Sequence, residues 1–502
     1  MNPHDVKHRG LITVAVMLAS ILQALDTTIA NVALPHIRGS LSATLEQMGW
    51  VLTSYIVASA IMTPLAGWLA SQIGSKKVML VSVVGFTAAS ALCGLSQSLT
   101  QLVLFRLLQG VFGAALVPLS QSVLLDINPP ERHGRATAVW AMGVLIGPII
   151  GPALGGWLTE NYSWRWVFYI NLPFGVLSAL GIMSFFHETE RRRSAFDFFG
   201  FVTLSLAIGA LQIMLDRGQL QDWFGSTEIW IEAILCSLAF YLFVVHTLTA
   251  GNPFVSPALF KDRNFAVGNI FILVVGVVLF ATLALLPPLL QDLMGYPVVT
   301  TGFVTAPRGI GGFLSMALVG RLIGRVDARY LVGFGLSLTA VSLWMMCGIS
   351  PQMDSSLVIW SGFLQGVGTG FAYVPLAAIT FATLNPALRS EGTSIFNLLR
   401  NIGSSIGIAV MQTLLTRNTQ IMHSRLAEHV SPYGGLPPMP PAASAGHIAA
   451  TLNAAVTRQA LMIAYINDFK LLLVLTVAVL PLLVMLRAGR PRSKSAEPVV
   501  VD

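Results

Sequence analysis

Charged side chains are scarce in this sequence. Asp, Glu, Lys and Arg make up 10% of 502 residues, against roughly 25% in soluble globular domains. Length alone would allow about three soluble domains, and the scarcity of charge excludes them. Cysteine is rarer still. Cys93, Cys236 and Cys347 fall in three separate apolar stretches, so there is no disulfide framework and no Cys/His metal spacing. The nine histidines are scattered singly, mostly in tails and loops, which supplies no cluster for a lipid-modifying or hydrolytic centre. No GxxxxGK[ST] occurs, which argues against a nucleotide-driven machine. The formal charge is +7, yet no long basic run is interleaved with aromatics, so nucleic acid is not the implied partner.

What is present is apolar sequence, 55% of the chain. Runs of about 20 residues follow one another from Leu11 to Leu486, each long enough to cross ~30 Å of hydrocarbon. Fourteen spans are expected: about 11–33, 49–70, 77–97, 101–123, 137–158, 166–186, 198–215, 228–249, 265–287, 301–320, 330–350, 357–379, 393–415 and 466–486. The last is interrupted by Asp468 and Lys470. The first follows a short basic head (Lys7, Arg9), but Asp26 breaks its apolar run and no Ala-x-Ala cleavage signal is evident. It reads as a retained span rather than a signal peptide.

An even number of spans puts both termini on one side. With that side inside, nineteen basic residues, among them Lys7, Arg191, Arg192, Arg193, Arg490, Arg492 and Lys494, lie in inner segments. Only Arg38, Arg165, Arg217, Arg417, Arg425 and Arg458 lie outside. The bias predicts both termini in the cytoplasm. Trp157, Tyr162, Trp164, Trp166 and Tyr169 gather at one outer end as an interfacial aromatic belt. One loop is long, roughly 416–465, with a Pro/Gly-rich centre SPYGGLPPMPP. It reads either as a flexible solvated loop or as a docking surface.

Two features punctuate the apolar pattern. The first is GVLIGPIIGPALGGW over 143–157, where Gly143, Gly147, Gly151 and Gly155 recur every fourth residue, Gly156 follows, and Pro148 and Pro152 sit behind two of them. In a soluble helix this composition would be ruinous. In a membrane it reads as a close-packing ridge that the prolines should bend. The second is a faint repeat. Leu108-Gln109-Gly110 with Gly113 and Pro118 in span 4 resembles Leu364-Gln365-Gly366 with Gly370 and Pro375 in span 12, and GWLASQIGSKK (67–77) resembles GRLIGRVDAR (320–329). Both pairs are offset by eight spans. The offset predicts an all-α polytopic protein built as two six-helix bundles, 1–190 and 263–502, separated by two inserted helices in 191–262. Such repeats are the ground plan of secondary transporters.

Four charges lie within spans: Asp26, Arg106, Arg308 and Arg400. Each costs at least about 2.5–3.5 kcal/mol at mid-span, so each should face a partner or water. Asp26 lies about fifteen residues into an outward helix, roughly 22 Å deep, and Arg106 about five residues into an inward one, roughly 8 Å below the outer face. In a ~30 Å core the two are level and can pair. Gln23, Asn31 and Gln109 supply polar company. Arginine does not release its proton, so the acid is the partner that titrates. The pair therefore serves either as a proton-coupling element or as a permanent bridge that fixes packing. Arg308 and Arg400 have the same two readings, packing or a substrate and proton role.

Taken together, LDTTIANVALP (25–35), RLLQGVFGAALVPLS (106–120), GPIIGPALGGW (147–157), YSWRWVFYINLP (162–173) and LQIMLDRG (211–218) resemble the major facilitator superfamily. The resemblance is to its fourteen-span drug:proton antiporters of the EmrB/QacA type, and is closest to the EmrB subgroup. It implies the major facilitator fold and export of hydrophobic or cationic compounds from the cell through the inner membrane. It implies a proton gradient instead of a cofactor, with a periplasmic adaptor and an outer-membrane channel as partners. Under it, Asp26 is a protonation or substrate-linked acid, Arg106 tunes proton transfer, and Gly147, Pro148, Gly151 and Pro152 form the antiport seam. The superfamily's loop-2 motif is retained only at Gly67, Gly74 and Lys76; Ser71 stands where an Asp is usual, which puts its charge latch in doubt. The rival readings are an exporter of one metabolite or siderophore, an uptake symporter, and a membrane sensor. If the outer loop docks an adaptor, deleting residues 430–445 should abolish resistance in intact cells while sparing transport in everted vesicles. Loss of both would point to misfolding instead.

Overall fold

The computed structural model describes residues 8–129, 132–186, 188, 195–350, 353–429 and 445–487, the side chains of 45, 46, 152, 153, 298 and 445–448 excepted. Lys7, Arg191, Arg192, Arg193, Arg490, Arg492, Lys494 and the loop centre 431–441 lie outside the described residues. Among the described residues fourteen helices are long and apolar enough to cross a bilayer. They are α1 (Arg9–Ser40), α2 (Gln47–Ile73), α3 (Ser75–Leu95), α4 (Leu99–Ile127), α5 (His133–Asn161), α6 (Trp166–Phe185) and α7 (Phe198–Arg217). There follow α8 (Thr227–Thr249), α9 (Arg263–Leu293), α10 (Val299–Leu322), α11 (Ala328–Met346), α12 (Ser356–Ala382), α13 (Pro386–Ala427) and α14 (Ala449–Met485). Each expected span falls on one helix. Only helices and closed barrels satisfy every backbone group in hydrocarbon, so an apolar run of this length settles the element type. Among the described residues α4 is broken by a turn at Ala114–Ala115, and α6 has a single turn residue at Ile170. Pro118 has no N–H for the carbonyl of Ala114 and crowds it, which accounts for the turn.

Both described ends lie at one end of the bundle, the terminal face. His8 packs on Phe185 at the end of α6, with ring centroids 5.8 Å apart, and the Arg487 amide donates to Asn264 Oδ1 at the start of α9 at 2.8 Å. At the opposite face the expected loop over 416–465 is mostly helix. The helix through α13 runs on to Ala427 and the one through α14 begins at Ala445. At 1.5 Å per residue these helices are about 50–60 Å long against ~30 Å of hydrocarbon, so they extend well beyond it. The polar residues between Thr416 and Tyr465 suggested a loop, but the two extensions pair through His423 and Asn453 at 3.0 Å. The aromatic belt also needs one correction. Trp157, Tyr162 and Trp166 are half-exposed and stack in series, whereas Trp164 is 4% exposed, turned inward with the Arg165 guanidinium 4.4 Å from its ring centroid.

The glycine ridge of α5 packs against α1. A Cβ added to Gly147 would lie 2.7 Å from the Ala24 carbonyl carbon and the Leu25 nitrogen, and one added to Gly155 would lie 2.7 Å from Ile29 Cγ1. Gly151 meets Thr28 and Gly143 meets Met17 in the same way, and Thr28 Oγ1 donates to the Gly147 carbonyl at 3.3 Å. Side-chain-free backbone lets two helices approach this closely. α5 runs unbroken past residues 148 and 152. Its other face meets α10, with Leu145 against Gly312, Ile149 against Gly309 and Ala138 against Gly320. The carboxy-terminal helices repeat the ridge: Gly403 and Gly407 of α13 stand against the backbone of Leu273 and Val277 of α9.

Contacts between the two groups of helices run along α5–α10 and α2–α13. Near the terminal face α4 and α13 are joined by Arg389 Nη1 to Asp126 Oδ1 at 3.2 Å, by the Ser122 and Ser390 hydroxyls at 3.0 Å and by Asn397 Nδ2 donating to Gln121 Oε1 at 2.9 Å. α7 touches both groups. Its Asp216 accepts from Thr53 of α2, and its Gln212 accepts from Ser405 of α13 at 2.9 Å. Asp197 caps α7 through the Gly200 amide, takes the Phe254 amide and meets His246 Nε2 at 2.8 Å. Burial raises its carboxyl, but these donors together hold it below the usual carboxylate range.

Overpacking a tight contact costs about 1–3 kcal/mol. Gly147→Ala should therefore lower the thermal midpoint in detergent, while Gly156→Ala, whose new Cβ would lie 3.8 Å from Val32, should leave it nearly unchanged.

Candidate functional site

A polar cluster inside the amino-terminal helices surrounds Asp26, which is fully buried. Burying a carboxylate is tolerable only where donors replace its water, and two neighbouring helices deliver them. Arg106 of α4, 1% exposed, donates from Nη1 to Asp26 Oδ2 at 2.6 Å. Gln109, one turn on, donates from Nε2 to Oδ1 at 2.8 Å. Asn171 of α6 donates from Nδ2 to the same Oδ1 at 2.9 Å. The pair allowed by depth is thus present, and Asp26 is held as an acceptor of three N–H groups.

The arginine is fixed in turn. Its Nη1 also reaches Gln109 Oε1 at 2.8 Å and its Nε donates to the Val51 carbonyl at 3.3 Å. The guanidinium carbon stands 4.3 Å from the Tyr55 ring centroid, a stacking arrangement that desolvation strengthens. Asn171 passes the network to Ser90 Oγ at 2.9 Å. Gly110 is what lets α2 come this close, since any side chain there would strike the Tyr55 carbonyl.

Of the expected site residues, the structure gathers Asp26, Arg106 and Gln109. Gln23 stands beside Tyr55. Asn31 is exposed on another face of α1: five residues of helix turn it about 140° away from Asp26, so it does not share the site. Arg308 and Arg400 belong to the carboxy-terminal helices. Arg308 donates to the Leu279 carbonyl at 3.1 Å, and Arg400 lies near Tyr373 and Asn401 at 3.5 and 3.4 Å. Tyr55, Ser90 and Asn171 complete the site without having stood out in the sequence. Asn171 lies in a stretch already singled out, YSWRWVFYINLP, but an uncharged amide carries no sequence signal of its own.

The loop-2 residues do something different. Gly67 allows α2 to touch the start of α13, where a Cβ added to it would lie 2.9 Å from both Ser390 O and Glu391 Cα. Gly74 has φ +97°, which glycine adopts freely. Lys76 Nζ donates to the Met183 carbonyl at 2.9 Å. Ser71 donates only to the Trp68 carbonyl of its own helix at 2.7 Å, so the usual charge latch is not formed there, and Arg389–Asp126 supplies a charged contact nearby. Among the described residues no group of three His, Cys, Asp or Glu is placed to hold a metal.

Among the described residues, fourteen membrane-length helices define a multi-pass membrane protein, and a buried ion pair ties together helices of its amino-terminal group. Residues 16–408 match the Major Facilitator Superfamily model. The chain is 40% identical over 426 residues to multidrug export protein EmrB of Escherichia coli (strain K12), covering 84% of this chain and 83% of that one. It is likewise 40% identical to fatty acid resistance protein FarB of Neisseria gonorrhoeae, with 84% of each chain covered. The chain belongs to the Major Facilitator Superfamily and, within it, to the EmrB type. Solved structures repeat the fold. The human organic anion transporter MFSD10 superposes with TM-score 0.61 at 15% identity, over 94% of this chain and 100% of that one. A bacterial homolog of the human lysosomal transporter Spinster gives 0.55 at 17%, over 95% and 97%.

Removing one member of a buried ion pair strands the other at a cost of about 3–5 kcal/mol, whereas removing both is far less costly. Arg106→Gln should therefore depress the thermal midpoint in detergent strongly, and Asp26→Asn combined with Arg106→Gln should recover part of that loss. An additive double variant would count against direct coupling.

Proposed function

We propose that this protein is a proton-driven antiporter that exports hydrophobic or cationic toxic compounds across a bacterial inner membrane. The observation that carries the proton part is Asp26, a fully buried carboxylate of the amino-terminal helices, held by Arg106, Gln109 and Asn171. The multidrug export named for its EmrB relatives supports the cargo. As a carboxylate Asp26 only accepts; once protonated it loses the charge that strengthens its three bonds and must also find an acceptor for its own O–H. Those bonds tie α1 to α4 and α6. A proton arriving at Asp26 therefore loosens three helices together, which couples protonation to a change of packing. In the proposed cycle, protonation from the outer side releases cargo and deprotonation toward the cytoplasm permits reloading. One proton crossing ~100 mV supplies about 2.3 kcal/mol.

The terminal face is assigned to the cytoplasm by the excess of Lys and Arg there. Residues 1–190 and 263–502 are the two moving halves, and 191–262 holds the inserted α7 and α8. The extensions of α13 and α14 at the opposite face are the proposed seat of a periplasmic adaptor, which would hand cargo to an outer-membrane channel. The name of the FarB relative favours one addition, amphipathic acids among the cargo. In everted vesicles, adding a substrate such as ethidium should discharge a preformed proton gradient in the wild type. Asp26→Asn should abolish this coupling, and extrusion that stayed proton-driven and unimpaired in that variant would sink the proposal.

A further inference from the structure

The two repeats keep one hydrogen bond and redistribute the charges around it. The offset that carries Gln109 to Gln365 carries Asp26 to Thr282 and Arg106 to Gly362. Gln109 Nε2 donates to Asp26 Oδ1 at 2.8 Å, and Gln365 Nε2 donates to Thr282 Oγ1 at 3.2 Å. Where the first repeat has an acid, the second has a hydroxyl already committed to the Val278 carbonyl at 2.7 Å. The cation has moved as well. Gly110 packs on the Tyr55 carbonyl, and Gly366, its counterpart, packs on the Arg308 carbonyl, so Arg308 holds the place of Tyr55. Its Cβ lies 3.7 Å from the point where a side chain on Gly362 would begin. The second repeat thus retains an arginine packed on Gly362 and Gly366, the glycines that flank this glutamine in sequence, and has lost the carboxylate that balances it.

Three further observations say what this leaves open. Arg308 is 8% exposed and spends Nη2 on the Leu279 carbonyl, while its buried Nη1 has no partner among the described residues. Gln365, 1% exposed, has an equally unpartnered Oε1. The next residue along α10, Gly309, touches Ile149 of α5, so this stretch of α10 borders the seam between the two groups of helices, while the guanidinium itself is turned to α9. Arginine remains charged even when buried, and an uncompensated cation at this depth is costly. Planar donors of this kind match a carboxylate. With 8% of the residue exposed, only the charged end of a cargo could reach Arg308.

We propose that Arg308, positioned by the Leu279 carbonyl and packed on Gly362 and Gly366, is a subsite for the carboxylate of an amphipathic cargo. The proposal rests on the export reading above and adds to it the residue that recognises the acidic members of the cargo. It divides the labour between the repeats: the first carries the proton on Asp26, and the second carries the counter-charge to an anion.

The test uses three fluorescent probes in everted vesicles: 11-(dansylamino)undecanoate, its methyl ester, and ethidium. Arg308→Gln should reduce uptake of the carboxylate at least tenfold more than uptake of the ester or of ethidium, and Arg308→Lys should restore part of the difference. Equal loss of all three by a protein that elutes as a folded species, or undiminished carboxylate uptake, would overturn the subsite. Where Arg308→Gln does not fold, the purified wild type decides. It should bind the carboxylate at least tenfold more tightly than the ester, and equal affinities would refute the assignment. A wild type that moves none of the probes under a proton gradient would refute the export reading, and the binding comparison would still judge Arg308.

Discussion

A charge placed in hydrocarbon must be neutralised by other parts of the protein, and the amino-terminal helices are arranged to meet that demand at Asp26. The ion pair with Arg106 is 2.6 Å long, and no single helix supplies it. α1 brings the acid, α4 the guanidinium and one amide, α6 the second amide, and α2 a backbone carbonyl and an aromatic face. Around this pair, backbone approaches that any side chain would block bring α5 onto α1 and α4 onto α2. The glycines of α5 and Gly110 of α4 therefore belong to the same device as the charges they never touch: they set the spacing within which the pair can form.

Much of this was legible in the sequence, for identifiable reasons. Membrane spans are written in composition over some twenty residues, a signal too long to misread, and each expected span is a helix. Asp26 and Arg106 stood out because charge in an apolar run is costly, and their depths follow from a fixed rise per residue. Other features were less visible. Asn31 looked like part of the site from its place in LDTTIANVALP, but closeness along a helix is not closeness on one face. The glycine ridge read as a close-packing surface, and it joins α5 to α1, while the opposite face of α5, with Leu145 and Ile149, meets α10. The pattern announces a close approach without naming the partner. The stretch after Thr416 looked like a loop because helices outside the membrane need no apolar run.

The repeats also show how a duplicated frame can diverge. Gln109 and Gln365 keep one role in donating to a neighbour on the first helix of each repeat, while the acid is replaced by Thr282 and the cation shifts from α4 to α10. The frame is preserved by backbone packing, with Gly110 and Gly366 each lying on a carbonyl of the adjacent helix. Charge is thereby free to change without loss of the fold.

α7 touches α2 through Asp216 and Thr53 and touches α13 through Gln212 and Ser405, so it spans one of the two lines along which the halves meet. Parting α2 from α13 would break polar bonds held in an apolar medium, where no water replaces them. Parting α5 from α10 only slides apolar side chains over glycine. The two lines are mechanically unequal. One is pinned by polar bonds and the other is held by apolar side chains resting on glycine, so in hydrocarbon the first would cost more to separate.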